Sequence, residues 1–272
     1  PADGDYFVAV RDVRGQKGED FTYSLVVRPP QPNFKCKVLD SNPKVAAGTG
    51  RKFGVEAERV DGFDGPIEIE ISGLPEGFYV PGPLQIEPGH DRLWATLWAE
   101  PDAKTPDKDA LEKIELFATA QIDGKSVRQS IGSLGKIEVS ESPKLLVQLI
   151  PDHETEAPDD RYPVVELKAG TTTTATIRIT RQEHDGRVGF GNESGAVNAP
   201  HGVYVDNIGL NGVLIVEGQD ERQFFITAES WVKPVERVIF VEAGEAGKPT
   251  SNPVLLRVLP PDQPNAGEQA SR

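Results

Sequence analysis

Phe53-Gly54-Val55-Glu56-Ala57-Glu58-Arg59-Val60 runs through Asp61-Gly62-Phe63-Asp64-Gly65 into Pro66-Ile67-Glu68-Ile69-Glu70-Ile71-Ser72. Apolar and charged residues alternate on both sides of a glycine-rich turn. That period of two belongs to a strand with one buried face. The same signature recurs outward along the chain. Strands are expected at 35–39, 52–60, 66–72, 78–80, 84–87, 93–99, 114–122, 126–131 and 136–139. A second series is expected at 145–150, 172–181, 203–205, 213–216, 223–228, 235–241 and 254–258. Pro75-Glu76-Gly77, Pro88-Gly89 and Asp123-Gly124 supply turns between them. Helical periodicity is absent apart from one turn that residues 107–117 could open with.

Composition agrees with many short strands. The 272 residues include 27 Gly and 23 Pro without a collagen period, a usage suited to turn-rich β structure. The net charge of −14 argues against a nucleic-acid binder, which needs a basic face to neutralise phosphates. No apolar run is long enough for a membrane-spanning helix. The single cysteine, Cys36, permits neither an internal disulfide nor a cysteine-based metal site. The chain contains no methionine and begins Pro1-Ala2-Asp3-Gly4-Asp5, which reads as a piece of something longer.

The two series of strands look like copies. Ala47-Gly48-Thr49 matches Ala169-Gly170-Thr171, and Pro75-Glu76-Gly77-Phe78-Tyr79-Val80 matches Pro200-His201-Gly202-Val203-Tyr204-Val205. Leu84-Gln85-Ile86-Glu87 with Asp91-Arg92 matches Leu214-Ile215-Val216-Glu217 with Glu221-Arg222, and Leu111-Glu112-Lys113-Ile114 faces Val235-Glu236-Arg237-Val238. The offset drifts from about 122 to about 130 residues, as loop insertions would cause. A unit of this size with seven or more strands predicts an all-β fold of two tandem immunoglobulin-like sandwiches. The expected organisation is a β-hairpin with a proline linker at 1–32, sandwiches at 33–142 and 143–260, and a proline-bearing tail at 261–272. The hairpin would pair Tyr6–Val10 with Phe21–Val27 across Arg14-Gly15-Gln16-Lys17-Gly18. As two strands alone are marginal in water, it would be the remnant of a further β domain or would lean on a neighbour.

Residues 4–15 and 21–27 resemble the last strands of the bacterial pre-peptidase C-terminal domain. Phe53–Val60, Gly62-Phe63-Asp64-Gly65-Pro66-Ile67 and Gly73-Leu74-Pro75-Glu76-Gly77 resemble the Ig-like modules that follow it in large secreted or surface proteins of planctomycete-type bacteria. The resemblance implies modules that flank peptidases or build surface proteins without being catalytic themselves.

Candidate sites are sparse. His90, His153, His184 and His201 each sit in an expected turn, and no Gly-x-Ser-x-Gly elbow or His-Glu-x-x-His spacing occurs. Ala47-Gly48-Thr49-Gly50-Arg51-Lys52 has the look of a phosphate loop, but its copy at 169–171 explains it as a repeated turn leading into a strand. The acidic run from Asp152 to Asp160, and the group Asp3, Asp5, Asp12 and Asp20, offer carboxylates of the kind calcium uses, without the EF-hand spacing. Solvated acidic loops are the expectation, with no cofactor required. Trp94 and Trp98 share one face of Leu93-Trp94-Ala95-Thr96-Leu97-Trp98-Ala99, roughly 13 Å apart. Exposed, they are the candidate ligand-binding residues, able to stack on a sugar or anchor a partner. Both faces of that strand are apolar, so alternation does not orient it, and at least one Trp is expected in the core. The repeat places Phe224 opposite Trp94, which favours packing.

These observations point to a non-enzymatic, extracytoplasmic interaction or spacer segment. Its expected partners are other domains of a parent protein, another surface or secreted protein, or a glycan. A carbohydrate- or protein-binding accessory of a secreted hydrolase or peptidase is the alternative.

Overall fold

The computed structural model describes residues 3–140, 142–153, 162–191, 195–206 and 212–261. The chain divides into two compact units, Pro1–Gln31 and Pro32–Arg272. In the first, the expected turn forms but the expected ladder does not. Asp12 Oδ1 accepts hydrogen bonds from the backbone N–H groups of Arg14 (2.8 Å) and Gln16 (2.9 Å). Residues 6–10 and 21–27 form no strands, and Phe7 is 98% exposed. Two short runs bury too little apolar surface within the unit to hold a ladder against solvent. The sequence pattern of a hairpin is present without its hydrogen bonds.

The second unit opens with β1 (Asn33–Leu39), β2 (Lys44–Ala46), β3 (Gly50–Val60), β4 (Ile67–Ser72), β5 (Phe78–Tyr79) and β6 (Gln85–Ile86). It continues with β7 (Arg92–Ala99), the single helical turn α1 (Lys108–Leu111), β8 (Glu115–Ile122), β9 (Lys125–Gly132) and β10 (Glu138–Ser140). A second series follows: β11 (Leu145–Pro151), β12 (Val164–Lys168), β13 (Thr172–Arg181), β14 (Val188–Gly191), β15 (Val203–Asp206), β16 (Val213–Ile215), β17 (Glu221–Ala228), β18 (Val235–Ile239) and β19 (Val254–Leu259). One sheet runs β1-β3-β7-β5, and its counterpart runs β11-β13-β17-β15. The facing layer is β6-β4-β8-β9 in the first series, and is divided into β14-β16 and β12-β19-β18 in the second. In both, a parallel pair (β2 with β10, β12 with β19) ties the beginning of the series to its end. The fold is all-β and immunoglobulin-like.

Inward-facing residues of the two layers make the cores. In the first sandwich one cluster around Phe34, Val55, Ile67 and Ile86 and another around Phe53, Leu97, Leu116 and Ile137 are bridged by Leu84 and Ile131. The second has one large cluster, with Phe190, Phe224, Ile177, Ile226 and Leu256 among its members, and a small one of Val164, Val238 and Leu255. Each such side chain contributes about 1.5–3 kcal/mol by leaving water. The Asp123-Gly124 turn between β8 and β9 has φ of 49° and 75°, the left-handed pair that a two-residue hairpin requires. Asp107 caps α1 by accepting from the Ala110 N–H at 2.8 Å.

Three strands escape the sequence pattern. β2 is only three residues long and pairs with a distant segment. β12 pairs in parallel with β19, and Val164 and Val165 are both buried, so alternation is lost. β14 carries two glycines in four residues, which weakens any strand signal.

The repeat extends to individual hydrogen bonds. Thr49 Oγ1 donates to the Ala46 carbonyl at 2.7 Å, and Thr171 Oγ1 donates to the Lys168 carbonyl at 2.8 Å. Gly48 and Gly170 stand in these turns with φ of 74° and 81°. The phosphate-loop look of residues 47–52 is therefore a turn leading into β3, as its copy leads into β13. Glu56 pairs with Arg92 across β3 and β7, while Arg178 pairs with Glu221 across β13 and β17: the same ladder position with the charges exchanged.

A larger equivalence joins Arg59 and Arg181, at the ends of β3 and β13. Arg59 donates from Nη1 to the Gly65 carbonyl (2.6 Å), from Nη2 to Glu87 (2.7 Å) and from Nε to His90 (2.8 Å). Arg181 donates to the carbonyls of His184, Gly186, Val216 and Gln219, and its Nε meets Asp220 at 3.1 Å. Each guanidinium thus clamps the loop after its own strand and the loop before the next strand of the same sheet. Hydrogen bonds from a charged donor contribute about 1.5–3 kcal/mol each, and losing one strands its acceptors. Arg59→Ala and Arg181→Ala should each destabilise the protein by about 2–4 kcal/mol in urea unfolding, and lysine, lacking the planar fork, should rescue neither fully.

Cys36 lies on β1, half-buried beside the core. Burial pushes its thiol up to about 11, opposed weakly by the Arg59 charge. The thiolate is the reactive form, so iodoacetamide at pH 8 should alkylate Cys36 far more slowly than a free cysteine peptide. Unfolding in guanidinium should restore the ordinary rate.

Candidate functional site

The residues with the most distinctive environment lie where the two sandwiches meet, on the outer face of β3 and β7. Leu93, Ala95, Leu97 and Ala99 of β7 point into the first sandwich core. Trp94, Thr96 and Trp98 therefore point outward, and neither indole enters the sandwich core. Both are half-buried. Trp94 lies under Lys52, whose Nζ stands 4.7 Å from the ring centre, with the Arg92 guanidinium 5.6 Å away. Trp98 packs beside Tyr79 at 6.4 Å. Ladder register also corrects their relation to the repeat. Gly54 faces Trp94 across β3 and β7, and the equivalent Thr176 faces Gln223 across β13 and β17. Trp94 therefore corresponds to Gln223, whereas Phe224 takes the inward place of Ala95. A slip of one residue exchanges the faces of a strand.

Between the two indoles, Thr96 is fully buried although it faces away from its own core. Thr250 of the second sandwich covers it, with the two hydroxyl oxygens 2.7 Å apart. The Thr250 N–H donates to the Gly50 carbonyl at 2.9 Å, a backbone bridge from one sandwich to the other. Gly50 is required by close approach. A Cβ there would lie 2.1 Å from Thr250 Oγ1 and 2.4 Å from Thr96 Oγ1. Beside this contact Lys52 forms an ion pair with Glu242, whose side chain is 9% exposed, and Arg51 Nη1 donates to the Gly247 carbonyl at 2.5 Å.

A second set of polar contacts flanks the first. Arg237 on β18 is only 4% exposed, and it reaches into the first sandwich. Its Nη1 donates to the Gln85 carbonyl at 2.5 Å, and Nη2 meets Glu87 Oε1 at 2.6 Å. The other Glu87 oxygen accepts from the His201 N–H at 3.1 Å. The His90 ring lies 4.9 Å from that of His201, which lies 5.1 Å from Trp231. Two of the four histidines, read from sequence as solvated turn residues, are thus brought together across the seam. His184 bonds instead to the Arg187 carbonyl within its own loop at 3.1 Å. The signal for this seam was present in the matched segment Pro75–Val80 and Pro200–Val205: His201 replaces Glu76, a change in surface chemistry on a conserved turn of the repeat.

The acidic run from Asp152 lies mainly at 154–160, outside the described residues. Asp152 itself is anchored on the sheet by Thr176 Oγ1 (2.7 Å) and Gln223 Nε2 (2.6 Å). Partial burial raises its carboxyl, but hydrogen bonds from Thr176, Thr174 and Gln223 together hold it below the usual range. Among the described residues no group of three or more His, Cys, Asp or Glu is placed to hold a metal ion.

On the far side of the Thr96–Thr250 contact lies an open cleft of about 730 Å³, lined by both sandwiches and the linker between them. Its charged lining residues are Lys44, Arg51, Lys144, Lys248 and Glu245.

No family profile and no curated protein sequence matches the chain. Among solved structures it is similar to a protein of unknown function from Porphyromonas gingivalis W83, with 10% identity, a TM-score of 0.28, and coverage of 82% of this chain and 99% of that one. The D0-D1 domain of intimin is similar at 8% identity and a TM-score of 0.27, covering 82% and 97%. The fibronectin(III)-like modules of Clostridium thermocellum CbhA are similar at 14% identity and a TM-score of 0.23, covering 84% and 94%.

Because Gly50 has no space for a side chain, Gly50→Ala should disrupt the seam while leaving both cores intact. Overpacking of this kind costs about 1–3 kcal/mol. Thermal unfolding should separate into two transitions, and Thr250→Ala in the same chain should restore part of the loss.

Proposed function

We propose that residues 33–260 serve as a non-enzymatic interaction and spacer segment in which two immunoglobulin-like sandwiches are held as one rigid piece. The observation that carries this reading is the seam itself. A flexible spacer needs only a linker, yet here Thr96, Thr250, Arg237 and Glu242 are removed from water to join the sandwiches. Buried polar groups are costly unless partnered, and once partnered they admit few alternative arrangements. Such a joint fixes the direction in which the second sandwich leaves the first, which is what a positioning segment requires. The extracytoplasmic setting, within a larger secreted or surface protein, rests on the resemblance of residues 4–15 and 21–27 to pre-peptidase C-terminal domains and of residues 53–60, 62–67 and 73–77 to Ig-like modules.

Nuclear spin relaxation tests the rigid joint directly. Backbone amides of both sandwiches should report one overall tumbling time, and Gly50→Ala should yield two shorter ones. Independent tumbling in the unaltered protein would overturn the reading.

A further inference from the structure

The cleft beside the seam gathers cations. Several cations on the sheet faces lie against carboxylates across the ladders: Lys35 on Glu58, Lys37 and Arg92 on Glu56, Arg128 on Glu70, Arg178 on Glu221 and Arg257 on Glu236. In the cleft Lys44, Arg51, Lys144 and Lys248 converge from β2, β3, the linker and the loop after β18. Lys44, Lys144 and Lys248 form no ion pair among the described residues. The one described carboxylate in the lining, Glu245, is engaged elsewhere, its Oε2 accepting from the Gly189 N–H at 2.9 Å. The neighbouring Glu138 is held by Lys136, whose hydrogen bond keeps the carboxyl below its usual range with a smaller contribution from Lys44.

The loop forming one wall is unusual in its backbone. Ala246, Gly247 and Lys248 all take positive φ, at 53°, 85° and 58°. Alanine and lysine rarely adopt that conformation, and it persists where surrounding contacts impose it. Here the Arg51 bond to the Gly247 carbonyl and the Thr250 bond to Gly50 hold the loop against the first sandwich. Half-buried Ala46 and Pro143 add apolar surface to the lining, over the buried Val45, Leu145 and Pro249.

We infer that this cleft is a binding site for an acidic peptide segment of a partner, its carboxylates meeting Lys44, Lys144 and Lys248 and its intervening side chains meeting Ala46 and Pro143. The volume suits a ligand of a few residues. A peptide fits better than a glycan because the described residues of the lining include no aromatic ring on which a sugar would stack. A nucleic acid is disfavoured because the net charge of −14 repels a polyphosphate that extends beyond the cleft. The site goes beyond the spacer reading but rests on it, because the walls are in place only while the seam is closed.

Fluorescence anisotropy with the full chain tests it, using a short fluorescein-labelled peptide that alternates glutamate with valine. The glutamate peptide should bind, its affinity should fall as salt rises, and the peptide with glutamine in place of glutamate should bind at least tenfold more weakly. Lys44→Glu with Lys144→Glu should reduce affinity at least tenfold, whereas Lys35→Glu on β1 should leave it unchanged. Equal binding of the two peptides, indifference to the double charge reversal, or preference for a sulfated oligosaccharide over the peptide would overturn the inference. Spin relaxation on the same samples separates the two readings: absent binding with a single tumbling time refutes the cleft alone, while two tumbling times refute the joint on which it rests.

Discussion

Thr96 faces away from its own core and is nevertheless fully buried, because Thr250 of the neighbouring sandwich lies on it where Gly50 leaves room. Much else depends on that contact. It directs the outer face of β3 and β7 against a second sandwich and brings the Lys52–Glu242 pair into place. On one flank it leaves a basic cleft, and on the other it permits Arg237 to reach Glu87. A side chain as small as alanine at position 50 conflicts with this arrangement, so backbone proximity, more than apolar area, is what the joint requires.

The two sandwiches share a plan that extends below topology to the placement of single groups. In each, a threonine at the turn into the second long strand bonds three residues back, and an arginine at that strand's end clamps two loops. The arginines perform with one planar group what several separate turn residues would otherwise do. The Glu56–Arg92 and Arg178–Glu221 pairs show that the repeat keeps charge complementarity while exchanging its sign. What the copies do not share is the seam: Gly50 corresponds to Thr172, and Trp94 to Gln223. The difference follows from position, since only the first copy's outer face is covered by its neighbour.

The strand pattern, the repeated turns and the all-β fold were legible in the sequence because a half-buried strand must alternate. Legibility failed where that condition lapsed. β12 is buried on both sides, β14 is half glycine, and Tyr6–Val10 is a continuous apolar run that forms no ladder among the described residues. Phe224 was placed opposite Trp94 because a match between loops of unequal length carries an error of one residue, and in a strand one residue is a change of face. Arg59 and Arg181 stood at a constant offset from the matched turns, but the sequence does not reveal which carbonyls a guanidinium reaches.

The sequence by itself determined that this chain is all-β, that it contains two related strand series, and that its net charge is strongly acidic. Those properties arise from local periodicity, turn chemistry and composition. Only the tertiary structure decided that Trp94 and Trp98 face outward, that His90 meets His201, and that four cations converge in an acidic protein. The first depends on which face of β7 fills its own core; the other two depend on which surface of one sandwich meets the other, set by the fit of side chains more than 100 residues apart, such as Thr96 and Thr250 with a separation of 154.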